Sequence, residues 1–233
     1  YHNDQELKAK IGIMEQKKVD GIVVFPGTNR QMLEECDSLI NSRPTVFIGR
    51  DADQYNLPCV YTDGVKVGKI ATEYLLSLGH RCIAFLAGAC PERDEGYKAA
   101  LAEAGLHFEP DLYIPDCVDF DCGKRAFATI STKQKRPTAV VSYSDNVAAG
   151  FIAAAAENGV KVPDEISVVG IDDLPIAQML TPALTTISQP KSEQGSKATE
   201  MLMQMIKGDN LSKKDSVIFD PMLIKRKSCR NLI

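Results

Sequence analysis

The feature that most constrains this chain is an alternation, almost without interruption, of short apolar runs with segments of helical periodicity. VDGIVVFPG, PTVFIG, CVYT, CIAFLAG, LYIP, TAVVSY, ISVVGID, LTTIS, SVIF and MLIKR read as strands. Most are apolar at consecutive positions rather than alternate ones, as in strands buried on both faces. Between them, Leu7, Ile11 and Met14 share one helix face, as do Met32, Leu33, Cys36, Leu39 and Ile40, and Val67, Ile70, Tyr74 and Leu78. Repeated βα units build parallel sheets covered by helices. Their number here predicts an α/β chain with two open doubly wound sheets.

Punctuation residues fix the helix ends. Asp63 stands as an N-cap and Gly79 as the left-handed residue that stops its helix. Further helices are expected from about residue 91 to 104, closed by Gly105, from about 122 to 130, from about 145 to 157, closed by Asn158-Gly159, and from about 190 to 207, closed by Gly208. In open α/β sheets ligands bind beyond the carboxyl ends of the strands. That rule directs attention to Pro26–Thr28, Gly49–Arg50, Ala89–Arg93, Phe120, Ser144–Asp145 and Asp172–Asp173.

Composition removes several function classes. No apolar run approaches the ~18 residues that cross a bilayer, and the polar opening YHNDQELKAK is no signal peptide. The seven cysteines show no C-x-x-C spacing and no nearby histidine cluster, which favours a reducing cytoplasm over a disulfide framework or a zinc site. A formal charge of −4 argues against nucleic-acid binding by this segment alone. The basic residues Lys225, Arg226, Lys227 and Arg230 read as a solvated tail, with a binding patch as the alternative. The phosphate-loop, dinucleotide, nucleophile-elbow and zinc-protease signatures are absent, so no cofactor, no metal and no catalysis are expected.

The ordered set VDGIVVFP, RPTVFIGR, TDGVKVGKIATEYLLSLGHRCIAFLAG, RDEGYKAAL, SYSDNVAAGFIAAAAENGVKVPDEISVVGIDD and TPALTTISQP resembles the C-terminal domain of the LacI/GalR family of transcriptional regulators, from about Val19 to Arg226. The resemblance implies a type I periplasmic-binding-protein-like fold: two lobes, three crossovers and an effector cleft between them. It places residues 1–60 in the first lobe with 188–210 returning to it, and 61–187 in the second with 211–233 returning. Relatives open this domain with a further βα unit, so the first lobe is expected to lack it here. The implied function is effector sensing and homodimerisation for a repressor whose operator DNA is read by a separate helix-turn-helix. A sugar is the leading effector class.

The resemblance also implies site residues. Arg93 matches the family's effector-binding arginine, with a surface ion pair to Glu92 or Glu95 as the alternative. Asp172 matches the effector-binding acid, with a cap for the following segment as the alternative. Ser144 falls where many relatives place Asn, and Asp145 beside it is expected to be the N-cap. Phe120 matches a position that stacks an aromatic on the ligand, core packing being the alternative. Arg50 stands at the mouth of the first lobe, while Gly49 replaces an acid that some relatives use. Gln189, Gly27 and Thr28 are further lining candidates. His80 is read as capping a helix end and ordering the turn rather than as catalytic. The competing function class is a periplasmic sugar-binding component of a transporter, against which stand the unpaired cysteines and the repressor-like LGHR and PALTTISQP blocks.

Overall fold

The structure, a computed structural model, describes residues 4–25, 30–50 and 55–233. The chain runs through α1 (Asp4–Gln16), β1 (Ile22–Val24), α2 (Arg30–Ser42), β2 (Thr45–Ile48), β3 (Cys59–Thr62), α3 (Gly64–Ser77) and β4 (Ile83–Leu86). It continues as α4 (Pro91–Glu103), β5 (Tyr113–Ile114), α5 (Phe120–Ser131), β6 (Ala139–Ser142), α6 (Asp145–Glu157) and β7 (Ser167–Ile171). The last elements are α7 (Pro175–Met179), β8 (Thr185–Ser188), α8 (Lys191–Ile206), β9 (Val217–Phe219) and β10 (Met222–Ile224).

Local chemistry sets these limits. Asp63 accepts the Lys66 amide at 3.0 Å and starts α3. The helix stops where Gly79, at φ 88°, donates to Leu76 O while the His80 amide donates to Leu75 O, the paired bonds of a Schellman end. α5 begins two residues earlier than periodicity predicts, because Asp119 caps it by accepting the Cys122 amide at 2.7 Å. The short α7 has no counterpart in the sequence reading; a single turn is too brief to show a period.

The chain divides into two compact units. The first, up to Thr62 and from Pro190 to Phe219, holds the all-parallel sheet β1-β2-β3-β9. Adjacent strand residues face opposite ways: Phe47 joins Val24, Leu33 and Ile40 on one side, and Val46 joins Val60, Ala198 and Met201 on the other. Both faces are therefore apolar, which is why these strands read as continuous runs rather than alternating ones.

The second unit, Asp63–Gln189 with Asp220–Ile233, holds the sheet β10-β8-β7-β6-β4-β5, parallel except for β10 against β8. Phe85, Val141, Val169 and Ile187 meet Val67, Leu75, Tyr97 and Leu101 of α3 and α4. On the other face Leu86, Val140 and Val168 meet Phe127, Val147 and Phe151 of α5 and α6. The unit boundaries lie at Thr62, Gln189 and Phe219, against 60, 187 and 210 from the sequence. The third differs because β9 pairs with β3, Val60 opposite Val217, and so stays with the first unit.

The segment expected to be a solvated tail is built into the second unit. Ser228 is fully buried, donating to Val168 O at 2.5 Å and accepting the Thr185 amide at 2.8 Å. Lys227 donates its amide to Ala183 O, and Arg226 donates Nη1 to Leu184 O, both at 2.9 Å. The charges of Arg226 and its neighbours hid the backbone route between them.

Candidate functional site

In the second unit β4, β6, β7 and β8 end at Leu86, Ser142, Ile171 and Ser188, and polar residues gather just beyond. Arg93, in the first turn of α4, donates Nη1 to Tyr143 O at 2.6 Å, and its guanidinium stands 4.9 Å from the centre of the Tyr143 ring. Its Nη2 lies 3.9 Å from Asp172 Oδ1, both side chains being mostly buried. Gln189, just after β8, donates Nε2 to the same Asp172 oxygen at 2.5 Å. The buried Arg93 Nε has no hydrogen-bond partner among the described residues. Burial pushes the Tyr143 phenol up, so it stays protonated.

A guanidinium, a carboxylate and an amide thus converge on one spot. The ion pair from Arg93 to Asp172 is in Coulombic range yet beyond direct hydrogen-bond reach. A third molecule can meet both charges there. Partial burial makes such contacts stronger than at an open surface.

Asp172 sits at φ 112° and Asp173 at φ 49°, backbone geometry uncommon outside glycine. The residue beneath this turn is Asp145, fully buried, which accepts the Thr186 hydroxyl at 2.6 Å and the Leu174 amide at 2.7 Å. Burial pushes its carboxyl up to about 6; the hydrogen bonds from Thr186 and Leu174 oppose the rise, and the charges of Asp172 and Asp173 add to it. Asp145 is therefore not the N-cap of α6. Ser144 is, accepting the Val147 amide at 3.3 Å, because a serine in extended geometry reaches that amide while the next residue already lies inside the helix.

Phe120 opens α5 with its side chain 41% exposed, so it is not a core residue. Its carbonyl is pressed against α6 at Gly150, where a Cβ would lie 1.9 Å from that oxygen. Arg50 belongs to the first unit, its guanidinium 5.5 Å from the centre of the Tyr61 ring. Gly27 and Thr28 lie outside the described residues. The His80 ring does not cap its helix. It is fully buried, with Nδ1 2.9 Å from the Thr138 hydroxyl and Nε2 3.3 Å from Arg230 O, and burial lowers its pKa. Sequence reasoning gave no role to Tyr143, which sits beside Ser144 in the SYSDN block, and read Arg226 as part of a solvated tail. Among the described residues no group of three or more His, Cys, Asp or Glu could hold a metal, and no helix is long and apolar enough to cross a membrane.

Comparison with known proteins gives the family of the chain. Residues 72–229 match the periplasmic binding protein-like domain family. The transcriptional repressor PurR of Vibrio campbellii is 34% identical over 227 residues, spanning 95% of this chain and 68% of the relative. The ribose operon repressor of Haemophilus influenzae is 31% identical over 233 residues, spanning 98% of this chain and 69% of the relative. This chain belongs to the LacI/GalR family of transcriptional regulators.

Within that family, the chain corresponds to the effector-binding domain. The solved complex of the transcriptional regulator CelR with cellobiose superposes with a TM-score of 0.85 at 26% identity, covering 97% of this chain and 71% of that one. Both curated relatives are repressors, so the transporter component weighed from the sequence is not favoured. Each unit is a parallel or mostly parallel sheet with helices between strands, the α/β class expected of a periplasmic binding protein-like domain.

Proposed function

We propose that this domain senses a small polyhydroxylated metabolite, a sugar before any other class, and relays its presence to operator binding by a helix-turn-helix. The observation that carries this reading is the convergence of Arg93, Asp172 and Gln189 beyond the strand ends of the second unit. A carboxylate accepts from hydroxyl pairs, a guanidinium donates to neighbouring oxygens in a fixed fork, and an amide does both. A relative named for ribose control and a related regulator held with cellobiose support the sugar class. In this reading Phe120, with its ring half open to solvent, supplies an apolar face for the ligand ring. Ser144 is a secondary member of the lining, and Arg50, Gly27 and Thr28 stay candidates on the family resemblance alone. The regulator works as a cytoplasmic homodimer, away from membranes, and catalyses no reaction.

A thermal-shift screen against sugars, sugar phosphates, nucleobases and nucleosides tests the proposal. A ligand at a hundred times its Kd stabilises the folded state by roughly 2.7 kcal/mol, a shift of several degrees. A sugar response weakened but still measurable at higher ligand in both Arg93→Ala and Asp172→Ala is the expected result. A response from nucleobases alone reassigns the effector class, and a sugar response undiminished by both substitutions moves the site elsewhere.

A further inference from the structure

Asp172 presents its carboxylate from a turn whose backbone is unfavourable for two residues in succession, φ 112° and 49°. Such geometry persists only where surrounding structure over-determines it, and the anchors here are identifiable. The Asp172 amide donates to Ile187 O at 2.8 Å, the Asp173 amide points to the Thr186 hydroxyl at 3.4 Å, and the Leu174 amide donates to Asp145 at 2.7 Å. Asp145 comes this close because residue 170 is glycine; a Cβ there would lie 2.3 Å from its Oδ1. These contacts fix the backbone. The Asp173 side chain is fixed from a distant part of the sequence: Arg226 donates Nη2 to its Oδ1 at 2.6 Å.

Arg226 does more than neutralise that carboxylate. Its Nη1 donates to Leu184 O and its backbone amide to the Thr185 hydroxyl, both at 2.9 Å. One planar fork thereby ties Asp173 to the start of β8, the strand that leads to Gln189. Both partners are mostly buried, with 14% and 23% of their side chains exposed, so solvent screens the pair little.

We infer that Arg226 is a positioning residue for the effector site, locking the Asp172–Asp173 turn so that Asp172 faces Arg93 and Gln189. The inference rests on the site proposed above and adds to it a residue that touches none of the three converging side chains. Lysine cannot stand in, because a single ammonium on a flexible stem does not span a carboxylate and a carbonyl in fixed directions.

The test uses the full chain carrying Arg226→Lys, Asp172→Ala, the pair of them together, or Asp173→Asn. Amide hydrogen exchange at residues 172–174 is read against β6 as an internal control. Arg226→Lys is expected to speed exchange at 172–174 at least tenfold and leave β6 unchanged. In titrations with D-ribose and with cellobiose, it should weaken whichever sugar binds by at least tenfold, and by less than twofold once Asp172 is already alanine. That loss of additivity separates positioning from general destabilisation. Unchanged exchange at 172–174, or full additivity of the two substitutions, overturns the role. If neither sugar binds the unaltered protein, the sugar reading fails for those ligands, while the exchange result still decides whether Arg226 locks the turn. Should Arg226→Lys not fold, Asp173→Asn removes the same charge pair at nearly constant shape.

Discussion

Thr186 gives its hydroxyl hydrogen to Asp145 at 2.6 Å, and both side chains are fully buried beneath the Asp172–Asp173 turn. Burial raises the Asp145 carboxyl from 3.8 to about 6. Between those values the folded chain keeps a proton that the unfolded chain has released. This group therefore favours folding most below its unfolded pKa, and the advantage is lost as pH rises through about 6. The amount is on the order of 3 kcal/mol. Urea unfolding of the unaltered protein and of Asp145→Asn should show a stability difference that moves against the unaltered chain between about pH 4 and 6.5. A difference that stays constant over that range would show that Asp145 does not titrate there.

Ser228 is the hinge pin of the C-terminal segment. Its hydroxyl donates to one strand and accepts from another, with no exposure to water. Ser228→Ala leaves the Thr185 amide and the Val168 carbonyl each short of a partner, which costs about 1–3 kcal/mol. Chemical denaturation should show the loss, and Ser228→Thr, which keeps the hydroxyl, should recover part of it.

At the start of α6, Ser144 rather than Asp145 satisfies the free amide of the first turn. Ser144→Ala should cost roughly 0.5–2 kcal/mol, while Ser144→Asp, also a good cap, should stay near the unaltered value. Equal losses in both variants would mean that the position is limited by space rather than by capping.

Arg93 makes a backbone hydrogen bond, faces an aromatic ring and approaches a carboxylate with three different parts of one planar group. Arg93→Lys keeps the charge and loses the fork. Its affinity for the effector found by screening is expected to fall by roughly tenfold to a hundredfold, the worth of one charge-assisted hydrogen bond. Calorimetric titration reads it directly, and an unchanged affinity would reduce Arg93 to a point charge.

Strands buried on both faces announce themselves as unbroken apolar runs, which is why β2, β4, β6 and β7 were legible in the sequence to within a residue or two. Helix ends were legible where a side chain or a glycine decides them, as at Asp63 and Gly79. Arg93, Asp172 and Gln189 each follow a strand or open a helix, and the structure gathers all three. What stayed hidden depends on contacts between remote segments. The sequence reading put Asp145 in the cap position next to its true neighbour, because one residue of register decides between a capping serine and a buried acid. Arg226 looked solvated because its partner, Asp173, lies 53 positions away. Charge read along a chain says nothing of the charge across from it.

The second unit is assembled from two stretches of chain, with Pro190–Phe219 spent on the first unit in between. The gene inherits that arrangement as a vulnerability. A nonsense codon or frameshift after α8 would spare Arg93, Asp172 and Gln189 and still delete β10, Ser228 and Arg226. Alleles of that kind should be as defective as those that strike Arg93 or Asp172 themselves. A separately expressed Asp220–Ile233 peptide is the natural candidate to complement them.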